Sequence, residues 1–265
     1  MLTHPLLPKL RELKLSGMLE TLSARTQLAQ EKDLAPAEFL ALLLDDEIER
    51  REQGRLLRQE REAGFESQKR LSQFDFSVVP RLNRSEVLEM ASCQFITRHE
   101  NWLIYGPTGT GKSHLSTAIG LEAIKQNMKV VVGQAHLLIA DLIGSRGTPL
   151  YAKRMRRLVS CDLLILDDFG LRNFVFSGAE ELYELIRQRY EKGSILITSN
   201  RIPAEWPAVF GDGLIASAAL DRLTHHAHIT CIEGCSYRQR GRRADDIASG
   251  KEADEASRDS SGGER

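Results

Sequence analysis

The sequence predicts an α/β fold in which helices cover both faces of a parallel five-stranded sheet. Three observations predict it. The octapeptide Gly106–Ser113 reads GPTGTGKS and matches the G-x-x-x-x-G-K-[ST] pattern of a phosphate-binding loop. An apolar strand pattern ends in the acidic pair Asp167-Asp168. After residue 100, apolar segments typical of strands alternate with helical patterns, which is the order of a three-layer sandwich with right-handed crossovers.

The composition is that of an ordinary globular protein. The chain has 265 residues, 42% of them hydrophobic and 28% charged, enough for one α/β domain and a smaller one. Because the formal net charge is −1, binding to nucleic acid would require local basic patches. The longest apolar runs are too short to span a membrane, and the N-terminus lacks a secretory pattern. Four cysteines without C-x-x-C spacing indicate reduced thiols, so we expect a cytoplasmic protein with no membrane partner.

Residues 1–70 form a predicted all-helical N-terminal domain. Apolar residues at helical spacing predict one helix from Pro5 to about Gln30 and a second from Pro36, which Gly64 ends. Between Asp46 and Arg70, glutamates and arginines recur at helical neighbour spacings. This face is either a solvent-exposed surface with salt bridges or a docking surface for a partner or for DNA. Since no catalytic pattern occurs here, we expect an interaction and DNA-binding domain.

A short segment precedes the nucleotide fold. Phe74 and Phe76 lie in it, and either line a base pocket or pack between domains. A helix is predicted over 84–95, with Asn83 or Ser85 as its cap.

The phosphate loop lies between a predicted strand, Asn101–Tyr105, and a predicted helix. Backbone N–H groups of such a loop converge on the β-phosphate, Lys112 reaches the β- and γ-phosphate oxygens, and the Ser113 hydroxyl ligates Mg²⁺. The sequence therefore predicts binding of a nucleoside triphosphate. The predicted nucleotide-binding residues are Gly106, Pro107, Thr108, Gly109, Thr110, Gly111, Lys112, Ser113 and His114.

A strand over 129–133 and a helix over 136–143 follow the helix of the phosphate loop. The next helical segment carries four basic residues within five positions. These side chains are either a solvated helix face or a patch that contacts DNA phosphates, and the sequence favours neither. The candidates for DNA contact are Lys153, Arg154, Arg156 and Arg157.

Two polar strand ends complete the predicted catalytic machinery. Asp167 ends a buried strand and can hold Mg²⁺ through water or through Ser113, while Asp168 can polarise the attacking water. The alternative is that both aspartates cap a turn. Asn200 follows the next buried strand and can bond the γ-phosphate or the water, or else form a turn.

The last part of the fold is predicted from 179 onward. Helices are expected over 179–191, ended by Gly193, and over 214–223, with a fifth strand over 227–232. Strand alternation would send His226 and His228 to one face. Together with His225, Cys231 and Cys235 they form no familiar zinc spacing, so no metal is expected there. Residues 241–265 are rich in polar residues and predicted to be disordered, which leaves no apolar material for a C-terminal lid.

Six segments resemble the IstB-like ATPases, helper proteins of bacterial insertion-sequence transposition that are related to DnaC-type helicase loaders. The segments are Leu13–Met18, Gly106–Leu115, Leu163–Gly170, Ile197–Asn200, Asp221–His226 and Ser236–Arg238. The resemblance reaches to about Arg240 and implies a P-loop NTPase of the AAA+ type over 71–240, without a lid. It also implies that ATP and Mg²⁺ are bound, that the chain forms an ATP-dependent homo-oligomer on duplex DNA, and that a cognate transposase is the partner.

The resemblance further implies that an arginine from a neighbouring subunit completes the γ-phosphate site. Arg222 is the first candidate and Arg238 the second, although Arg222 can instead pair with Asp221 at a helix end. Asp168 stands where AAA+ proteins often have glutamate, which shortens the reach to the water.

The predicted function is that of a DNA-stimulated ATPase that shapes or selects target DNA and recruits or activates a transposase. Two alternatives stay open at this point: a helicase loader of DNA replication, and a nucleotide-gated DNA scaffold whose hydrolysis is incidental.

Overall fold

A computed structural model of the chain describes residues 6–67, 69–234 and 236–237. The chain divides into two compact units at residues 62 and 63. The predicted domain limits at residues 70 and 240 stay predictions, and the expected disordered tail over 241–265 and the absence of a lid concern residues outside the described part.

The first unit is helical, as predicted. Helix α1 (Leu6–Glu12) and helix α2 (Ser16–Glu31) replace the single helix expected from Pro5 to Gln30. The break comes at Lys14, whose φ of 56° lies in the left-handed region that a continuing helix does not visit. Helix α3 (Pro36–Ala63) follows and ends just before Gly64, as predicted. Met18, Leu22 and Leu43 form the apolar core of this unit.

Helix α2 begins against the side of α3. The buried carboxylate of Glu47 accepts hydrogen bonds from the N–H groups of Gly17 (2.7 Å) and Met18 (3.4 Å), so a residue of another helix supplies the cap. A Cβ on Gly17 would lie 2.6 Å from the Asp46 carbonyl oxygen, which explains why only glycine fits there. Burial alone would raise the pKa of Glu47, but its bonds to Arg51 and to the two N–H groups lower the pKa overall.

The second unit contains the sheet. Its helices are α4 (Arg84–Ala91), α5 (Gln94–Thr97), α6 (Lys112–Lys125), α7 (Ala135–Gly144), α8 (Pro149–Val159), α9 (Phe176–Arg189), α10 (Pro207–Phe210) and α11 (Gly213–Thr224). Its strands are β1 (Asn101–Tyr105), β2 (Val130–Gln134), β3 (Leu163–Phe169), β4 (Ser194–Ser199) and β5 (Ala227–Cys231).

The described strands form one parallel sheet in the order β2-β3-β4-β1-β5. Helices cover both faces because strand side chains alternate. Leu164 and Leu166 belong to the core shared with helices α7 to α11, while Ile165 points to the other face and lies beside Gly120 of α6. The predicted three-layer α/β fold with a parallel five-stranded sheet is therefore confirmed.

Most helix bounds of this unit lie within three residues of the prediction, and two differences have a visible cause in the backbone. The helix expected over 84–95 is interrupted at Cys93, which has a φ of 58°, although Asn83 does cap its start by accepting from the Ser85 N–H at 2.9 Å. Helix α9 ends at Arg189 rather than near Gly193, and Glu191 takes the left-handed conformation expected of the glycine. Gly193 has a different role: a Cβ there would lie 2.8 Å from the guanidinium of Arg189.

Arg189 is a fully buried cation at the end of α9. Its guanidinium donates to the carbonyl oxygens of Leu158 (2.7 Å), Cys161 (2.9 Å) and Ser194 (2.7 Å). Burial lowers the pKa of this guanidinium, which nonetheless stays charged because arginine starts so high. The side chain thus links the end of α8 to the first residue of β4, at the amino ends of the strands, whereas the phosphate loop lies at their carboxyl ends. In the described part of the chain, no helix combines the length and the apolar character needed to cross a membrane.

Candidate nucleotide-binding site

The phosphate loop has the structural context that its sequence requires. Strand β1 is buried through its centre and leads into Gly106, and helix α6 begins at Lys112. Gly109 and Gly111 have φ values of 85° and 95°, which glycine adopts readily, and turns of this kind allow the N–H groups of a phosphate loop to converge on an anion. These groups and the N-terminus of α6 make an anion-binding surface.

Lys112 is held at this loop. Its side chain is buried, and its ammonium donates to the carbonyl oxygens of Gly106 (2.8 Å) and Pro107 (2.7 Å). The Thr110 hydroxyl also donates to Pro107, at 2.9 Å. A desolvated ammonium close to converging N–H groups concentrates positive charge where phosphates would bind.

The acidic pair lies on a β-bulge at the end of β3. Leu166 pairs with Ile197 and Phe169 pairs with Ser199, so Asp167 and Asp168 together stand opposite the single residue Thr198. Asp168 has a φ of 52°, a conformation that costs energy for any residue with a Cβ. Strain of this kind is found where a side chain must be aimed at a ligand.

Thr198 closes the bulge. Its hydroxyl accepts from the Asp168 N–H at 3.1 Å and donates to the Asp167 carboxylate. The side chain is buried, so it fixes both aspartates from the neighbouring strand. Sequence reasoning treated Thr198 only as the end of a strand. The available signal was its position at the end of this strand, two residues before Asn200.

A cavity of about 570 Å³ lies in front of the loop, within the range of small-ligand sites. Asp168, Asn200 and Ser113 all line it, so the structure brings together residues from the ends of β3 and β4 and the start of α6. Among the described residues the lining does not include Asp167, whose carboxylate is bonded to Thr198 instead. The lining residues are Lys69, Gln73, Phe74, Asp75, Val78, Thr108, Gly109, Thr110, Gly111, Lys112, Ser113, His114, Asp168, Leu171, Asn200 and Tyr237.

The two aromatic residues ahead of the fold have different roles. Phe74 is buried, lines the cavity and packs edge-on against the His114 ring with centroids 5.4 Å apart. Phe76 packs against Phe74 and lies under the Arg84 guanidinium, 4.9 Å from it. His114 also hydrogen-bonds the Arg70 carbonyl oxygen through Nε2 at 3.0 Å. The first turn of α6 is thereby tied to the segment that precedes the fold.

The segment after β5 returns to the phosphate loop. The Tyr237 N–H donates to the Gly109 carbonyl oxygen at 3.0 Å, and the 60% exposed side chain lines the cavity. A Cβ on Gly109 would lie 2.2 Å from the Ser236 hydroxyl oxygen, so the close approach requires glycine. Sequence reasoning noted Ser236 and Tyr237 only as part of a resemblance and assigned them no role. Arg238 lies outside the described residues.

Arg222 does not reach the cavity of its own chain. On the last turn of α11 it donates to the Ala218 carbonyl oxygen at 2.7 Å and lies over the Tyr183 ring, 5.5 Å from its centroid. Within the described ranges it forms no ion pair with Asp221 or another acid.

The basic segment forms helix α8, away from the cavity lining. Met155 and Leu158 bury its apolar face, and Lys153, Arg156 and Arg157 are exposed on the opposite side. Arg154 is paired with the Asp141 carboxylate at 3.0 Å. Both earlier interpretations of this face, solvated surface and phosphate contact, agree with that arrangement.

The sequence matches the profile of the IstB-like ATP binding proteins over residues 8–245. The chain belongs to the IstB-like family. A family relative from Mycobacterium tuberculosis, named for ATP binding in an insertion sequence, is 37% identical over 88% of this chain and 93% of its own length. The ATP-binding protein named for insertion sequence IS21 of Pseudomonas aeruginosa is 34% identical over 91% of each chain.

The fold is also found in solved structures. DnaA from Aquifex aeolicus, bound to AMPPCP, superposes with a TM-score of 0.53 and 25% identity over 64% of this chain and 51% of that one. The architecture is therefore a P-loop fold of the AAA+ type, as the resemblance to the IstB-like family implied.

Proposed function

We propose that this IstB-like protein is a Mg²⁺-dependent ATPase that assembles on duplex DNA as a homo-oligomer and recruits or activates a cognate transposase. One observation carries the proposal of hydrolysis. The cavity at the phosphate loop is lined by a carboxylate on a strained bulge, Asp168, and by the amide of Asn200. Simple nucleotide binding requires neither group in that place.

The residues present fit ATP and Mg²⁺. The turned loop offers N–H groups, Lys112 offers a buried charge, and the 570 Å³ cavity has room for a nucleotide. The Ser113 hydroxyl lines the cavity and would ligate Mg²⁺, while the Asp167 carboxylate, which does not line it, would hold the ion through water; both are the hard oxygen donors that Mg²⁺ prefers. When bound, Mg²⁺ would neutralise charge that develops on the β- and γ-phosphates.

Each chemical role falls to a residue of this chain. Lys112 would exchange its loop carbonyl partners for phosphate oxygens, and Asn200 would orient the γ-phosphate or the water. Asp168 would accept a proton from the attacking water, and its aim is set by the bulge. The rings of Phe74 and Tyr237 line the cavity and would contact the adenine.

Assembly would complete the site. Arg222 lies at a helix end, outside its own cavity and without an acidic partner among the described residues. An arginine in that situation suits a neighbouring subunit's γ-phosphate, where it would stabilise charge in the transition state. Arg238 remains the second candidate.

Two surfaces would bind the partners. The exposed residues Lys153, Arg156 and Arg157 of α8 would contact DNA phosphates. On α3, Leu40, Leu44 and Ile48 follow one helix face and are 53%, 45% and 61% exposed. Such an apolar stripe suits contact with another protein, here the transposase.

The central experiment measures the ATPase rate with and without duplex DNA and the transposase. We expect stimulation by both, and Asp168→Asn should remove hydrolysis while Lys112→Ala removes nucleotide binding. If the Asp168→Asn protein assembled on DNA and activated the transposase fully, the protein would be a nucleotide-gated scaffold whose hydrolysis is incidental, and the proposed function would be wrong. Preference for single-stranded DNA together with capture of a helicase would instead indicate a helicase loader.

The DNA surface has a charge-matched control. Lys153→Ala with Arg157→Ala should weaken ATP-dependent binding to duplex DNA and flatten its salt dependence. Lys129→Ala with Lys192→Ala, which removes two exposed cations outside α8, should leave both unchanged. If both sets of substitutions weakened DNA binding equally, the DNA would contact a surface other than α8.

A further inference from the structure

Three side chains that can ligate a metal meet where helices α9 and α11 end. They are Glu191, His225 and His226, and one ligand atom of each lies within 4.8 Å of the other two. All three are exposed, so their side chains can rotate. No step of the proposed ATP hydrolysis uses them.

Two residues in the left-handed backbone conformation bring these side chains together. Adjacent residues of an extended chain point to opposite sides, but a φ of 55° at His226 turns its ring toward His225, leaving the centroids 3.9 Å apart. Glu191 has a φ of 57° and turns the chain after α9. Neither residue is a glycine, so each turn costs energy that the surrounding fold supplies.

Tyr190 orients the cluster. Its hydroxyl lies 2.8 Å from His225 Nδ1. If Nδ1–H donates to the phenol oxygen, Nδ1 is occupied by this bond. His225 Nε2 then keeps its lone pair for a ligand. Fixing the free nitrogen of a histidine in this way is typical of metal sites.

We propose that Glu191, His225 and His226 bind a divalent transition metal, with Zn²⁺ the best match and water as the fourth ligand. Two imidazole nitrogens and one carboxylate are a known zinc donor set. Bonds near 2.0 Å in a tetrahedral site need donor atoms about 3.3 Å apart, so the distances between the donor atoms would have to shorten by up to about 1.5 Å.

This site differs from the histidine and cysteine cluster considered from sequence. His228 is engaged elsewhere, since it bonds Glu100 at 2.9 Å and stacks on Trp102. The missing ligand was Glu191, which precedes the histidines by a strand and two helices. Only the packing of α9 against α11 brings it near.

A bound ion would join the ends of the two helices that position Arg222. That arginine belongs to α11 and rests on Tyr183 of α9. Metal occupancy would therefore stiffen the support of the proposed arginine finger. This consequence rests on the proposed function, whereas the metal site itself does not.

The test is calorimetric titration of Zn²⁺ into the full-length, chelator-treated protein at neutral pH, without nucleotide or DNA. We expect one saturable site in the wild-type protein, weakened at least tenfold by Glu191→Gln and by His226→Asn. Asparagine tolerates the left-handed conformation, so the backbone is preserved. The control is His99→Asn, because His99 is exposed and has a φ of 57° but lies outside the cluster. It should bind as the wild type does.

Thermal melting gives an independent readout. Zn²⁺ should raise the Tm of the wild-type and His99→Asn proteins but not of the cluster variants. Unchanged circular dichroism and ATP binding in the variants would exclude misfolding. Equal zinc affinity in all four proteins, or no saturable binding to the wild type, would overturn the proposal whatever the ATPase activity turns out to be.

Discussion

Replacing Thr198 by valine tests whether the bulge at the end of β3 aims the carboxylate of Asp168, the proposed catalytic base. Valine has nearly the same shape and favours strands, so packing is kept while two hydrogen bonds are lost. The bond to the Asp167 carboxylate contributes about 1.5–3 kcal/mol and the bond from the Asp168 N–H about 1 kcal/mol. Water can replace part of the first, since Asp167 is only half-buried. We therefore expect a loss of about 2 kcal/mol, which corresponds to a Tm lower by about 4–8 °C.

The effect on catalysis should be larger than the effect on binding. Without Thr198 the strained φ of Asp168 can relax, and a displacement of about 1 Å would lower kcat by about 10- to 100-fold. The ATP contacts of the phosphate loop are untouched, so KM should change little. The assay is steady-state ATPase with DNA present, and Thr198→Ser is the control that keeps the hydroxyl. A valine variant with wild-type kcat, or a serine variant as impaired as valine, would refute the role of the bulge.

Three further predictions concern other parts of the chain. Arg189→Met should lower the free energy of unfolding by about 4 kcal/mol because it leaves buried carbonyls unpaired, whereas Arg187→Met, which breaks an exposed pair, should cost about 0.5 kcal/mol or less in the same denaturant titration. The Arg25 guanidinium holds the pKa of Asp46 at about 2, below its usual value. The stabilisation is therefore full above about pH 4 and is lost as the pH falls toward 2. The difference in unfolding free energy between the wild type and Asp46→Asn should shrink over that window, and a constant difference would contradict this prediction. Tyr237→Ala should raise the Kd for ATP by about 3- to 10-fold with kcat kept, and Tyr237→Phe should restore the affinity, as equilibrium binding of a fluorescent ATP analogue would show.

The fold and the centre of the site were predictable because their signals are local. A phosphate loop needs glycines and a lysine at fixed spacing, and parallel strands bring their carboxyl ends to one sheet edge, so Asp168 and Asn200 were expected near Ser113. Helix boundaries were less predictable, because the chain takes the left-handed conformation at Lys14, Cys93 and Glu191, where the sequence has no glycine to indicate a turn.

The sequence by itself determined the fold class, the parallel five-stranded sheet and the position of the phosphate loop between β1 and α6. All of these follow from periodicity and from motifs within a few residues of one another. The tertiary structure alone decided which aspartate lines the cavity, because that depends on a bulge opposite Thr198. It also decided that Tyr237 returns to the loop and that Glu191 meets His225. These contacts join residues far apart in the chain, and only the packing of the sheet and its helices sets their distances.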